Sequence, residues 1–211
     1  MSMKFFSVPG TAATVAHAAL LEAGADFELV QVGRRDRDEP REFKQVNPHG
    51  KVPALLDGDL HMYETSAILL HLGDRFPESG LAPAIGTQAR AEYYQHIAFL
   101  TTSLHPSFTR WYTPYYMEDK ALANALAAAA EKTILESFDV MERALAGREY
   151  LCGQFSGADL LLHMLSSKSW TIELPVYNTR PNLAAHHARV EARPAVSEML
   201  AIHRRDKEAG L

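Results

Sequence analysis

Val46-Asn47-Pro48-His49-Gly50-Lys51-Val52-Pro53-Ala54-Leu55-Leu56-Asp57-Gly58-Asp59-Leu60-His61-Met62-Tyr63-Glu64-Thr65-Ser66 reads as a loop, a strand, a tight turn, a second strand and a helix start. Asp57-Gly58 between two apolar runs is a strong hairpin signal. Pro53 stands where the first strand should begin, and X-Pro is the one place where a cis peptide is cheap, at about 0.5–1 kcal/mol. Glu64, Thr65 and Ser66 open an amphipathic run that carries Ile68, Leu72 and Phe76. Hydroxyls and the first N–H groups of a helix therefore point to one place, an arrangement suited to an anion.

Upstream, Met3 to Val8 is an apolar strand ended by Pro9-Gly10, and residues 13–23 form an Ala-rich helix closed by Gly24. Phe27 to Val32 is a second strand, so the start is a βαβ unit with parallel strands. Residues 33–45 form a charged loop with one helical turn near 41–45. Downstream, Pro77, Gly80, Pro83 and Gly86 punctuate a linker. No convincing strand follows it. Residues 88–112 predict a helix interrupted near Pro106, with Tyr94, Ile97, Thr101 and Leu104 on one face. Residues 119–146 predict another, with Ile134, Phe138, Met141 and Leu145 inward. Ser156-Gly157-Ala158-Asp159 resembles a capping box with Asp in place of Glu, and Arg180-Pro181 and Arg193-Pro194 open two more helices. The expected organisation is an α/β domain over residues 1–76, a linker over 77–87 and an all-α domain over 88–211.

The chain has 211 residues, a hydrophobic fraction of 47% and a net charge of −5 with no basic block. That balance argues against nucleic acid and against an anionic membrane surface as partners. Cys152 is the only cysteine, so no internal disulfide can form. With no signal-like start and no long apolar run, a cytoplasmic protein is expected. The histidines show no ligand spacing, and no metal is expected.

Three motifs carry a family resemblance. They are Val46-Asn47-Pro48-x-Gly50-Lys51-Val52-Pro53-Ala54-Leu55, Cys152-Gly153-Gln154-Phe155-Ser156-x-Ala158-Asp159 and Arg189-Val190-x-Ala192-Arg193-Pro194-Ala195-Val196. Together with the order of elements they resemble the cytosolic glutathione transferases, and the start of the chain is most similar to the bacterial beta-type members. The resemblance implies a thioredoxin-like N-terminal domain that binds glutathione, a helical domain that forms much of the electrophile pocket, and a homodimer. It also implies conjugation of the glutathione sulfur to small hydrophobic electrophiles. The alternatives are isomerisation, dehalogenation or ether cleavage on a dedicated substrate, or a non-catalytic glutathione-binding role.

Within that resemblance, the backbone of Val52 beside a cis-Pro53 would pair with the cysteinyl part of glutathione. Glu64 and Thr65 would hold the γ-glutamyl end, and Lys51 and Arg35 the glycyl carboxylate. The chain departs from the beta-type pattern where the sulfur would lie. Ala12 stands in place of a cysteine, Ala13 in place of a serine, Ser7 in place of a tyrosine and Ala98 in place of an asparagine. Mixed-disulfide chemistry through a protein cysteine is therefore not expected there. The remaining donors are Ser7, Thr11 and Thr14, with the backbone N–H groups at the start of the first helix; Thr11, then Ser7, are expected first, with His105 as a second donor or base. Phe108, Trp111, Tyr112 and Tyr115 are expected to line the electrophile pocket, since aromatics flanking Pro114 cannot all face inward on one helix.

Overall fold

A computed structural model describes residues 3–33, 41–112, 114, 117–167 and 174–210. The described residues form β1 (Met3–Ser7), α1 (Ala13–Glu22), β2 (Phe27–Gln31), α2 (Arg41–Val46), β3 (Ala54–Asp57), β4 (Leu60–Tyr63) and α3 (Thr65–Arg75). After a short 3-10 turn come α4 (Gln88–Phe99), α5 (His105–Tyr112), α6 (Lys120–Ala144), α7 (Gly157–Ser166), α8 (Pro181–Glu191) and α9 (Pro194–Glu208). The chain divides into two compact units, Met1–Ala82 with Glu191–Leu211, and Pro83–Val190. Residues 191–211, expected with the helical domain, group with the sheet.

In the first unit the strands run in the order β2-β1-β3-β4, with β1 parallel to β2 and antiparallel to β3, and β3 antiparallel to β4. This is a thioredoxin-like sheet with both faces covered, which is why consecutive residues of β1 are apolar. The Phe5 ring lies 5.8 Å from that of His17 on α1, while the Phe6 ring lies 5.6 Å from that of Phe43 on α2. The Asp-Gly hairpin forms as expected: Asp57 pairs with Leu60, and Gly58 takes φ 61°. Its Asp57 carboxylate lies 2.9 Å from His71 Nε2 and 3.3 Å from Arg75 Nε, which ties the turn to α3.

Helix α9 joins this unit through polar contacts at long sequence separation. Arg193 makes a bidentate pair with Glu22 at 2.6 and 2.8 Å, and Gln31 Nε2 donates to Asp206 Oδ2 at 2.7 Å. His17 Nδ1 lies 2.8 Å from His203 Nε2, both rings buried.

In the second unit, the expected break near Pro106 is a π turn over Leu100–Leu104. Proline lacks an N–H and its ring crowds the carbonyl four residues earlier, so widening the turn just before it relieves both. The buried face of α4, the π turn and α5 carries Tyr93, Ile97, Leu100, Leu104 and Phe108. Tyr94 and Thr101, expected on that face, lie one residue off it, and Tyr94 is 47% exposed. Ile134, Phe138, Met141 and Leu145 are buried as expected. Among the described residues, no helix is long and apolar enough to cross a membrane.

Buried Asp159 organises the start of α7. Its Oδ1 accepts from Leu151 N at 2.9 Å and lies 2.9 Å from His186 Nε2. Its Oδ2 accepts from Ser156 N at 2.9 Å and from Ser156 Oγ at 3.0 Å.

Candidate active site

The sheet register gathers three segments of the first unit at one end. Ala54 pairs with Phe6 on one side and Tyr63 on the other. Val52-Pro53, just before Ala54, is thereby flanked by the loop after β1 and by the start of α3. The Val52–Pro53 peptide is cis. The β3 ladder begins at Ala54, and Val52's N–H and C=O have no hydrogen-bond partner among the described residues.

At the start of α3, Glu64 is the one non-glycine residue among those described with positive φ, at 72° with ψ 119°. An L side chain in that region is strained, and such positions cluster at functional sites. Its C=O accepts from Ile68 N at 3.0 Å. The carboxylate is exposed, and the hydroxyls of Thr65 and Ser66 make no hydrogen bond among the described residues. The first-turn N–H groups of α3 have no carbonyl one turn earlier within the helix, so donors and a carboxylate meet here. Lys51 is exposed nearby in sequence, while Arg35 lies outside the described residues.

The loop after β1 differs from its expected form. Ser7 is the last residue of β1, not a loop residue, and is fully buried, with an Oγ that has no partner. In strand alternation it shares the face of Phe5, the face turned to α1, and so offers no hydroxyl to solvent. Thr11 Oγ1 donates to Val8 O at 2.7 Å and accepts from Ala13 N at 3.3 Å. Its carbonyl accepts from Thr14 N at 3.1 Å and Thr14 Oγ1 at 2.9 Å. The Thr11 proton is engaged in a local turn that precedes α1. The backbone N–H groups of Thr11 and Ala12 have no partner among the described residues.

The other candidates lie in the second unit. His105 is half-buried at the first position of α5, immediately after the π turn. Phe108, expected in the pocket, is wholly buried, its ring 6.3 Å from that of Phe138 in an edge contact, so it is core. The half-buried Trp111 and Tyr112 rings meet at 5.0 Å with their planes 64° apart, while Tyr115 lies outside the described residues. Cys152 is buried, and burial pushes its thiol up to about 11, so it carries no thiolate near neutral pH.

Sequence reasoning gave Asn47 no role. It is 3% exposed and is the hub of the loop that leads to Val52. Its N–H donates to Phe43 O at 2.8 Å, its O accepts from Gly50 N at 2.9 Å, its Oδ1 accepts from His49 N at 3.0 Å and its Nδ2 donates to Lys51 O at 2.6 Å. The signal was present in the dipeptide Asn47-Pro48, since asparagine side chains fold back on their own backbone in turns.

The fold is that of a two-part protein, a thioredoxin-like sheet with a cis-proline edge and an open helix start on a chain continued by a helical unit, and comparison with known proteins gives the family. Residues 1–74 match the family model described as glutathione S-transferase, N-terminal domain, and residues 105–203 that described as glutathione S-transferase, C-terminal domain. Glutathione S-transferase GstA of Escherichia coli O157:H7 is 30% identical over 203 residues, 94% of this chain and 97% of that protein. A sphingomonad glutathione S-transferase solved in complex with glutathione matches with a TM-score of 0.82 at 34% identity, over 95% of this chain and 98% of that one. A bacterial beta class enzyme from Sphingomonas chungbukensis matches at 0.78 and 31% identity, with the same coverage. The chain belongs to the glutathione S-transferase family.

Proposed function

We propose that this chain binds glutathione at the gathered ends of β1, β3 and α3 and joins its sulfur to small hydrophobic electrophiles. The observation that carries the reading is the meeting of unpartnered Val52 peptide groups with the Glu64–Ser66 helix start. Val52's N–H and C=O pair with the cysteinyl residue as an added strand would. The Glu64 carboxylate takes the γ-glutamyl ammonium, and the Thr65 and Ser66 hydroxyls with the first N–H groups of α3 take its carboxylate. Lys51 and Arg35 balance the glycyl carboxylate. Trp111, Tyr112 and Tyr115 hold the electrophile, and His105 serves as a second donor or base. The reading includes a homodimer at work in the cytoplasm, the first of these testable by sedimentation equilibrium.

Calorimetry with glutathione and turnover with a generic aryl halide test it together. Wild type is expected to bind and to turn over. Glu64→Gln, which removes a charge-assisted contact, is expected to weaken glutathione about 10- to 100-fold. No binding by wild type at saturating glutathione would end the proposal.

A free thiol has a pKa of about 8.5 and needs donors to ionise near neutrality. With the Thr11 hydroxyl proton held by Val8 O, the N–H groups of Thr11 and Ala12 are the readier donors for the thiolate. The ultraviolet absorbance of the thiolate, titrated in the bound complex, separates the two. In Thr11→Val the pKa of bound glutathione is expected to stay below the free value. Its return to the free value would make the Thr11 hydroxyl the donor.

A further inference from the structure

We infer that Asn47 is a positioning residue for glutathione: it fixes the direction in which the Lys51–Val52 peptide presents its N–H. The inference rests on the reading that Val52 pairs with the cysteinyl part of glutathione. Lys51 C=O and Val52 N–H belong to one planar trans peptide, so they point in opposite directions and turn as one body. Asn47 Nδ2 donates to Lys51 O at 2.6 Å, which holds that carbonyl toward the loop and leaves the Val52 N–H facing away from it. The side-chain amide orientation is fixed in turn, because Oδ1 must accept from His49 N at 3.0 Å, which makes Nδ2 the donor.

The support continues into the core. Asn47 follows α2 directly, and its N–H bonds to Phe43 O at 2.8 Å. Phe43 and Val46 pack with Phe6, Val8 and Ala54, and Val52 packs against that cluster. Asn47 therefore connects a rigid apolar core to a peptide whose N–H has no protein partner. A donor on the carbonyl also polarises the peptide and strengthens the hydrogen bond its N–H makes. Residues 48–51 alone would not set this plane: Gly50 sits at φ 61°, and Lys51 is exposed.

Asn47→Asp separates the two amide contacts, since the carboxylate still accepts from His49 N but has no proton for Lys51 O. Glutathione affinity by calorimetry, steady-state kinetics with an aryl halide and thermal melting are measured together on the full chain. The expected result is a Kd and KM for glutathione raised about tenfold. The kcat at saturating glutathione and the KM for the aryl halide stay at wild-type values, a split that general loosening of the fold would not produce. Asn47→Ser, whose hydroxyl can accept from His49 N but reaches less far than Nδ2, is expected to match it and carries the test should Asn47→Asp not fold. A folded variant of either kind with wild-type affinity overturns the assignment while leaving the glutathione reading standing. A fall in kcat with an unchanged Kd overturns it as well. A wild-type chain that binds no glutathione overturns both.

Discussion

Replacing Asp159 by alanine is expected to cost about 3–5 kcal/mol of folding stability, since several buried donors lose their one acceptor at about 1–3 kcal/mol each. The carboxylate is fully buried and each oxygen has two partners: Leu151 N and His186 Nε2 on Oδ1, Ser156 N and Ser156 Oγ on Oδ2. Deleting it leaves two backbone N–H groups and an imidazole without their acceptor in an interior closed to water. His186 cannot turn to a substitute at no cost, because its Nδ1 is already buried without a partner. The α7 start also loses the acceptor that Ser156 N uses, so the helix frays where it meets the core. Asp159→Asn keeps the shape, but its Nδ2 faces donors, and it should fall between wild type and alanine. Urea unfolding followed by circular dichroism measures the difference. A loss below about 1 kcal/mol would mean that the second unit does not depend on this carboxylate.

The parts of the fold and site that were legible in the sequence are those encoded by neighbours along the chain. Asp57-Gly58 specifies its own turn, Pro53 announces the cis peptide, and Glu64-Thr65-Ser66 marks a helix start whose donors stay open. What escaped depended on partners far away or on one residue of phase. Tyr93 takes the place of Tyr94 in the core: Tyr93, Ile97, Leu100 and Leu104 fit the 3.6-residue period as well as Tyr94, Ile97, Thr101 and Leu104 do, so periodicity alone does not choose between them. Ser7 could have been read correctly, since strand alternation puts it on the same face as buried Phe5. Thr11 and Asn47 share a different difficulty. Both are short polar residues in turns, and only coordinates tell whether such a side chain faces a ligand or its own backbone. The grouping of α9 with the sheet rests on Arg193–Glu22 and Gln31–Asp206, contacts that no local pattern announces.

Acid is expected to remove about 3 kcal/mol of stability from the first unit between pH 6.5 and pH 4 through His17 alone. Burial between the Phe5 and Phe27 rings, with His203 beside it, lowers the His17 pKa from 6.5 to about 4. The unfolded chain therefore binds a proton in that window that the folded chain refuses, so stability falls as pH falls and levels off below the folded value. At about 1.4 kcal/mol per pH unit, the separation of the two values gives the expected loss. The contact with His203 sets the mechanism. With Nδ1 and Nε2 at 2.8 Å, one ring must donate and the other accept, which two neutral imidazoles can do and two cations cannot. Asp206 on α9 attracts a charge on either ring, but its carboxylate is already engaged by Gln31 Nε2 at 2.7 Å and by Arg205 at 3.0 and 3.1 Å. The Glu22–Arg193 pair ties the same two helices. In the second unit, burial and two neighbouring histidines lower His163 to about 3, which adds a loss of the same sign there. Urea midpoints measured from pH 7 to pH 4 should thus decline steadily, and His17→Phe should flatten the part that belongs to the first unit. A wild-type midpoint unchanged between pH 7 and pH 5 would mean that the His17–His203 contact persists with a proton added. In that case Asp206, not desolvation, would govern the junction of α1 and α9.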